Sequence, residues 1–260
     1  MKITIKQVNQ GYKMISIVYL GMGTAFTSQV VVKDESPVPE ILFAQGALEK
    51  WLEHVDEVFS TYKENSEVSK YNRGEVDFLS MSEEMRFVYV SCAQASEATH
   101  HSFNAMLPSG YDPSGFVKGW AIEEGFNRYL RPLLDLNNVI GANLNGGGDM
   151  QMASKEESDW NFEIAVLDPF DKTKIIAELS MKKGAIATSG ISERGNHIFG
   201  ADKNILQTTV IGVNLQEVDV WATALMVDFN SKMPNYLRAF EVNRHGIIVE
   251  KEVITNAKET

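Results

Sequence analysis

The segments Val139-Ile140-Gly141-Ala142-Asn143, Phe162-Glu163-Ile164-Ala165-Val166-Leu167, Ile175-Ile176-Ala177-Glu178-Leu179, Ala185-Ile186-Ala187-Thr188 and Thr208-Thr209-Val210-Ile211-Gly212-Val213 decide the fold. Each is short, apolar or alternating, and rich in β-branched residues. Gly146-Gly147-Gly148, Asp168-Pro169 and Lys183-Gly184 mark turns between them. Strands that cluster, rather than alternating regularly with helices, predict an α+β fold with mixed or antiparallel β-sheets packed against helices.

Working outward, helical spacing runs from about Glu217 to Phe229 on the C-terminal side. On the N-terminal side a helix is expected from Phe116 to about Leu130, against the propensity of Gly119 and Gly125. Ser80 with Glu83 reads as a capping box opening a helix to about Ser96. Apolar residues at Ile41, Leu48, Trp51, Leu52, Val55 and Phe59 predict another. Residues 60–72 read as a polar loop, and 107–115 as a Gly/Pro/Ser loop. Two β-rich strips, 2–8 and 13–32, open the chain, the second broken at Gly21-Met22-Gly23-Thr24 and the region ended by Pro37 and Pro39. With no linker in view, 1–260 is expected to be one domain.

The 260 residues have ordinary globular composition, 44% hydrophobic and 23% charged. A net charge of −11 argues against nucleic acid or an anionic membrane as partner, since both need clustered cations. A phosphorylated ligand would have to be held by backbone amides, a metal, or one or two placed cations. Cys92 is the single cysteine, so an intrachain disulfide and a thiolate metal cluster are excluded; a buried inert thiol is expected. The run Met14–Leu20 superficially resembles a signal peptide. Residues 1–8 alternate as a strand does, however, no convincing cleavage site follows, and there is no cysteine to take a lipid. A cytoplasmic protein without a membrane anchor of its own is the expectation.

Asp219 and Thr223 lie one turn apart on a predicted helix, so both face the same way and offer hard oxygens to Mg²⁺. A simpler account places Asp219 in a first helical turn, favoured by the dipole, with Thr223 merely packed. Asp112-Pro113-Ser114-Gly115-Phe116-Val117-Lys118 runs a Gly-containing loop into a helix N-terminus, a ready anion site with a nearby cation. It could equally be a plain turn with a solvated lysine. Asn145-Gly146-Gly147-Gly148-Asp149 permits close backbone approach, and a hairpin turn explains it as well. Arg194 could pair with phosphate and His197 could move a proton, although a lone histidine is more often structural.

Taken in order, these segments resemble the FAD:protein FMN transferase family, known as ApbE. The resemblance runs from Met22-Gly23-Thr24 through Phe59-Ser60-Thr61-Tyr62, Ser66-Glu67-Val68-Ser69-Lys70-Tyr71-Asn72, the 112–120 stretch, Gly146-Gly147-Gly148-Asp149 and Ala187-Thr188-Ser189-Gly190. It ends at Asp219 with Ala222-Thr223-Ala224-Leu225. It implies a compact, non-lipoprotein member. FAD would be bound by Met22, Tyr62, Asp112, Lys118 and Ile198, and Mg²⁺ by Asp219, Thr223 and the backbone carbonyl of Gly115. Many members carry an Asp-Gly-Ala-Phe-Asp segment where this chain has His100-His101-Ser102-Phe103-Asn104; Ser102, Phe103 and Asn104 are therefore placed with the FAD-binding residues. Ser192 stands where the family usually has tyrosine, and Gly200-Ala201-Asp202-Lys203-Asn204 replaces a common Asp-Pro-x-Thr-Gly.

The resemblance implies Mg-dependent transfer of FMN from FAD to a Ser or Thr hydroxyl of an acceptor protein, with release of AMP. The hydroxyl proton would go to a weak base, either His197 or the metal-bound carboxylate, Asp219. Hydrolysis of FAD to FMN and AMP at the same site, or FAD binding without catalysis, are the competing readings. The chain lacks the Asp-x-x-Ser/Thr-Gly-Ala-Ser/Thr pattern of family acceptors, so it is not expected to modify itself.

Overall fold

A computed structural model of the chain describes residues 2–33, 38–190, 200–246 and 248–251. The opening strips form β1 (Lys2–Gln7), β2 (Lys13–Gly21) and β3 (Thr24–Val32), an antiparallel meander. Met22 and Gly23 both take positive φ, 50° and 71°, as a two-residue hairpin turn between right-twisted strands requires. Then comes α1 (Val38–Phe59), with Pro39 tolerated in its first turn; Ile41, Leu48, Trp51, Leu52, Val55 and Phe59 form its buried stripe.

The segment expected to be loop at 60–72 contains a short helix, α2 (Glu67–Asn72). Ser66 caps it by accepting from the Ser69 N–H at 3.0 Å. Only Val68 of this helix is buried, so no apolar period announces it. The next helix, α3 (Glu83–Ala98), is capped by Ser82 and not by Ser80, whose hydroxyl is taken by the Asp77 turn. The box carboxylate also comes from elsewhere: Glu67 accepts from the Ser82 N–H and hydroxyl, both at 2.6 Å. A small hairpin, β4 (Met106–Leu107) and β5 (Gly110–Tyr111), leads into α4 (Ser114–Gly125). The helix expected to reach Leu130 stops being α-helical at Gly125. There a Cβ would fall 2.8 Å from Leu48, and a π turn (Phe126–Leu130) and a 3₁₀ turn (Arg131–Asp135) follow.

Next come β6 (Val139–Gly146) and β7 (Asp149–Ser154), joined through Gly147 and Gly148, both with positive φ, so the glycine run is a hairpin. The pair β8 (Phe162–Leu167) and β9 (Ile175–Met181) makes its own two-stranded sheet. The chain continues through β10 (Lys183–Gly190), β11 (Ile205–Gly212), α5 (Leu215–Val227), and the unanticipated strands β12 (Arg238–Asn243) and β13 (Ile248–Glu250). Among the described residues the main sheet has nine strands, ordered β1-β2-β3-β6-β7-β10-β11-β12-β13, and every pairing is antiparallel. This is the α+β architecture expected, and its sheets are antiparallel throughout rather than mixed.

Strand periodicity sorts the core into two layers. Val30, Val32, Val139, Ala142, Leu144, Ala185 and Ala187 point to the helices. Their neighbours Val31, Ile140, Met152 and Ile186 point to the opposite face, where Trp160 and alternate residues of β8 cover them. Cys92, on α3, lies in the helical layer, and burial pushes its thiol up to about 12. Native protein is therefore expected to resist iodoacetamide at pH 8 and to be alkylated fully only in denaturant. Rapid, complete labelling of the folded chain would contradict that burial. Among the described residues, no helix is long and apolar enough to cross a membrane.

Candidate functional site

The β2–β3 turn, the end of β10 and parts of α1, α4 and α5 line a cavity of about 990 Å³, large enough for a dinucleotide-sized ligand. The β2–β3 turn supplies Met22, whose left-handed backbone is uncommon outside glycine and cost-bearing on general grounds. The end of α1 leads into Ser60 and Tyr62, with Tyr62 standing 90% exposed on the rim. Beside it Lys63 pairs with Asp56 at 2.5 Å.

The loop after α3 brings Ser102, Phe103 and Asn104 to the wall. Phe103 is buried beneath the start of α4, close enough that a Cβ on Gly115 would meet its ring at 3.2 Å. Asn104 is exposed, its side-chain oxygen accepting from the Met106 N–H at 2.9 Å. Asp112 accepts from the Ser114 N–H at 3.0 Å, ordering the turn into α4. Ser114, Gly115 and Lys118 then enter the cavity from the first turns of that helix.

Opposite stands α5. Asp219, 2% exposed, and Thr223, half-buried, face the cavity one turn apart. The Thr223 and Ser189 hydroxyls lie 3.3 Å apart. Lys118 bridges two acids: it forms an ion pair with fully buried Asp149, and its ammonium is 3.7 Å from Asp219 Oδ1. The other side of Asp149 is fixed by the Thr188 N–H, which donates to Oδ1 at 2.9 Å.

The helices α4 and α5 can approach so closely because Gly119 has no side chain. A Cβ there would come 2.9 Å from Asp219 Cβ and 3.1 Å from the Leu215 carbonyl. The first turn of α5 is held from outside as well. Asn214, its N-cap residue, makes no side-chain capping bond. Instead Glu123 of α4 accepts from the Gln216 N–H at 2.9 Å, and Gln151 of β7 accepts from the Leu215 N–H at 3.0 Å. Burial pushes the Glu123 carboxyl up, opposed by the amides of Gln216 and Leu215.

Met22, Tyr62, Ser102, Phe103, Asn104, Asp112, Gly115, Lys118, Asp219 and Thr223 thus share one cavity. His197 and Ile198, with Ser192 and Arg194, lie outside the described residues. Sequence reasoning did not single out Asp149, Glu123 or Gln151 as site residues. The Gly-Gly-Gly-Asp run signalled Asp149, but neither of the other two carries a motif. As a donor set, the Asp219 carboxylate, the Thr223 hydroxyl and a backbone carbonyl at Gly115 are all hard oxygens, which fits Mg²⁺. Among the described residues no group of three or more His, Cys, Asp or Glu could hold a metal. A cation here would complete its shell with water and phosphate oxygens.

Comparison with known proteins identifies the family and the fold. The family model described as ApbE family matches residues 22–109 and 108–245. Among solved structures the chain is similar to the ApbE protein from Thermotoga maritima, at 20% identity and TM-score 0.74, over 91% of this chain and 96% of that one. It is also similar to the flavin transferase ApbE from Vibrio cholerae (15%, TM-score 0.66, 92% and 97%). A third is the Pseudomonas stutzeri flavinyl transferase ApbE in its apo form (16%, TM-score 0.68, 97% and 96%). No curated protein matches the chain. At these identities the structural likeness is one of fold.

Proposed function

We propose, from the premise that this chain belongs to the ApbE family, that it is a transferase moving the FMN half of FAD onto a Ser or Thr hydroxyl of an acceptor protein. The observation that carries this reading is the convergence of Asp219, Thr223 and Lys118 with the N-terminus of α4 in one dinucleotide-sized cavity. That combination is suited to a pyrophosphate: oxygen donors for a cation, one ammonium, and the positive end of a helix dipole for anionic oxygens.

In the proposed reaction the acceptor oxygen attacks the FMN-side phosphorus. The new P–O bond forms as the bridging P–O bond of the pyrophosphate breaks, and AMP leaves with the bridging oxygen. The hydroxyl proton passes to a base, for which His197 and the Asp219 carboxylate remain the candidates. Mg²⁺, held by Asp219, Thr223 and the Gly115 carbonyl, would supply charge neutralisation at the pyrophosphate. Lys118 provides fixed positive charge, placed by Asp149, and the start of α4 adds the positive end of its helix dipole. Met22 and Tyr62 contribute apolar surface for the flavin, with Tyr62 exposed at the mouth where an acceptor segment would arrive. With water in place of the acceptor hydroxyl, the same chemistry hydrolyses FAD.

The test is the intact mass of a generic acceptor domain after incubation with this protein, FAD and Mg²⁺. A gain of one FMN, abolished by EDTA, is expected. Release of FMN and AMP with no adduct would replace transfer by hydrolysis. Co-purifying FAD that stays intact would make the protein a flavin binder and overturn the enzymatic reading.

A further inference from the structure

We propose that Glu123, together with Gln151, positions the cation ligands Asp219 and Thr223 by tying the N-terminus of α5 to α4 and β7. This rests on the cation site of the proposed function. Glu123 is a positioning residue that touches neither metal nor substrate. The argument begins with a helix that does not cap itself. Asn214 has the extended backbone of an N-cap residue, φ −113° and ψ 124°, and a side chain suited to capping, yet makes no capping bond. The N2 amide it could serve, Gln216 N–H, is engaged by Glu123 Oε2, and the Leu215 N–H before it by Gln151 Oε1. Gln151 is further locked because its Nε2 donates to the Val213 carbonyl at 3.0 Å, just before the helix.

A local cap would satisfy the helix end equally well, because it needs only one acceptor in the right place. The tertiary caps do something a local cap cannot: they fix where the helix end lies relative to other elements. Gln216 is three residues before Asp219, so a shift of that turn moves the Asp219 carboxylate with it. Glu123 is on the same helix as Gly115 and Lys118. One carboxylate therefore sets the separation between the two helices that carry the proposed ligands. Gly119 permits the contact, and Glu123 holds it in register. Both side chains are buried, Glu123 at 7% and Gln151 at 8% exposure, so neither bond is loosened by solvent.

The experiment titrates Mn²⁺ into the full chain in the presence of FAD, reading free Mn²⁺ by electron paramagnetic resonance, with thermal unfolding measured alongside. Glu123→Leu is expected to raise the Mn²⁺ half-saturation about tenfold or more, the range for outer-shell partners of metal ligands. Glu123→Gln, which keeps the acceptor oxygen, is expected to stay within about twofold of the parent protein. In Glu123→Leu the Asn214 side chain is free to cap the Gln216 N–H locally. The thermal midpoint is therefore expected to fall little while the Mn²⁺ half-saturation rises. If Glu123→Leu binds Mn²⁺ like the parent, Glu123 is a helix cap and nothing more. Asp219→Asn separates the two levels of the argument. Mn²⁺ binding lost in Asp219→Asn but intact in Glu123→Leu removes only the positioning role. Binding intact in both removes the cation site and the positioning role with it.

Discussion

Asp219→Asn is expected to lower metal-dependent FMN transfer by at least about 10²–10³-fold, the usual cost of deleting one preorganised electrostatic group at a reacting centre. The chain should remain folded. Asparagine keeps the shape that sits against Gly119, where there is no room for a rearranged side chain. Lys118 keeps Asp149, its closer carboxylate. What disappears is the anionic oxygen beside Thr223, and with it the charge that would draw a divalent cation into a buried position. The prediction is checked by transfer rate against Mg²⁺ concentration, with circular dichroism to establish folding. A folded variant with Mg-dependent transfer within tenfold of the parent protein would remove Asp219 from the metal site.

That Asp219 and Thr223 share one face was legible in the sequence for a simple reason: a four-residue spacing on a helix fixes two side chains on one face whatever surrounds them. Gly115 and Lys118 were legible in the same way, from a loop running into a helix. Residues whose role depends on a distant element were not. Asp149 follows a glycine run that reads as a hairpin, and it is a hairpin. Its carboxylate matters because β7 lies next to β10, whose Thr188 N–H it accepts, and beneath α4, whose Lys118 it holds. No local pattern encodes that adjacency. Glu123 looks like one more helical acid and Gln151 like one more strand polar residue until α5 arrives between them. The helix at 67–72 was missed because it buries little, and its partner Glu67 caps a helix whose sequence offered its own box. The segments 162–167 and 175–179 were read correctly as strands, but pattern alone does not show that they leave the main sheet to cover its second face.

The largest effect on stability is expected from Lys118→Met. The Lys118 side chain is 14% exposed and its ammonium lies between a fully buried carboxylate, Asp149, and the nearly buried Asp219. Methionine fills most of the volume and removes the charge, leaving Asp149 with the Thr188 N–H. Removing one partner of a buried ion pair costs about 3–5 kcal/mol, because the other charge stays desolvated. For a chain of this size that is a fall of roughly 6–20 °C in Tm. The double variant Lys118→Met/Asp149→Asn removes both charges, and a neutral amide can still accept from Thr188. It should recover most of the loss, since replacing a buried pair as a unit is close to neutral. Recovery of stability should not bring recovery of function: the double variant lacks the Lys118 ammonium at the cavity wall and is expected to bind FAD more weakly than the parent protein. Denaturant midpoints for the parent, the two single variants and the double variant form the cycle that measures the coupling. A Lys118→Met protein within about 1 kcal/mol of the parent would mean that water or another cation reaches these carboxylates, well below what a buried pair requires. The picture of a buried acid–lysine–acid bridge in the cavity wall would then fall.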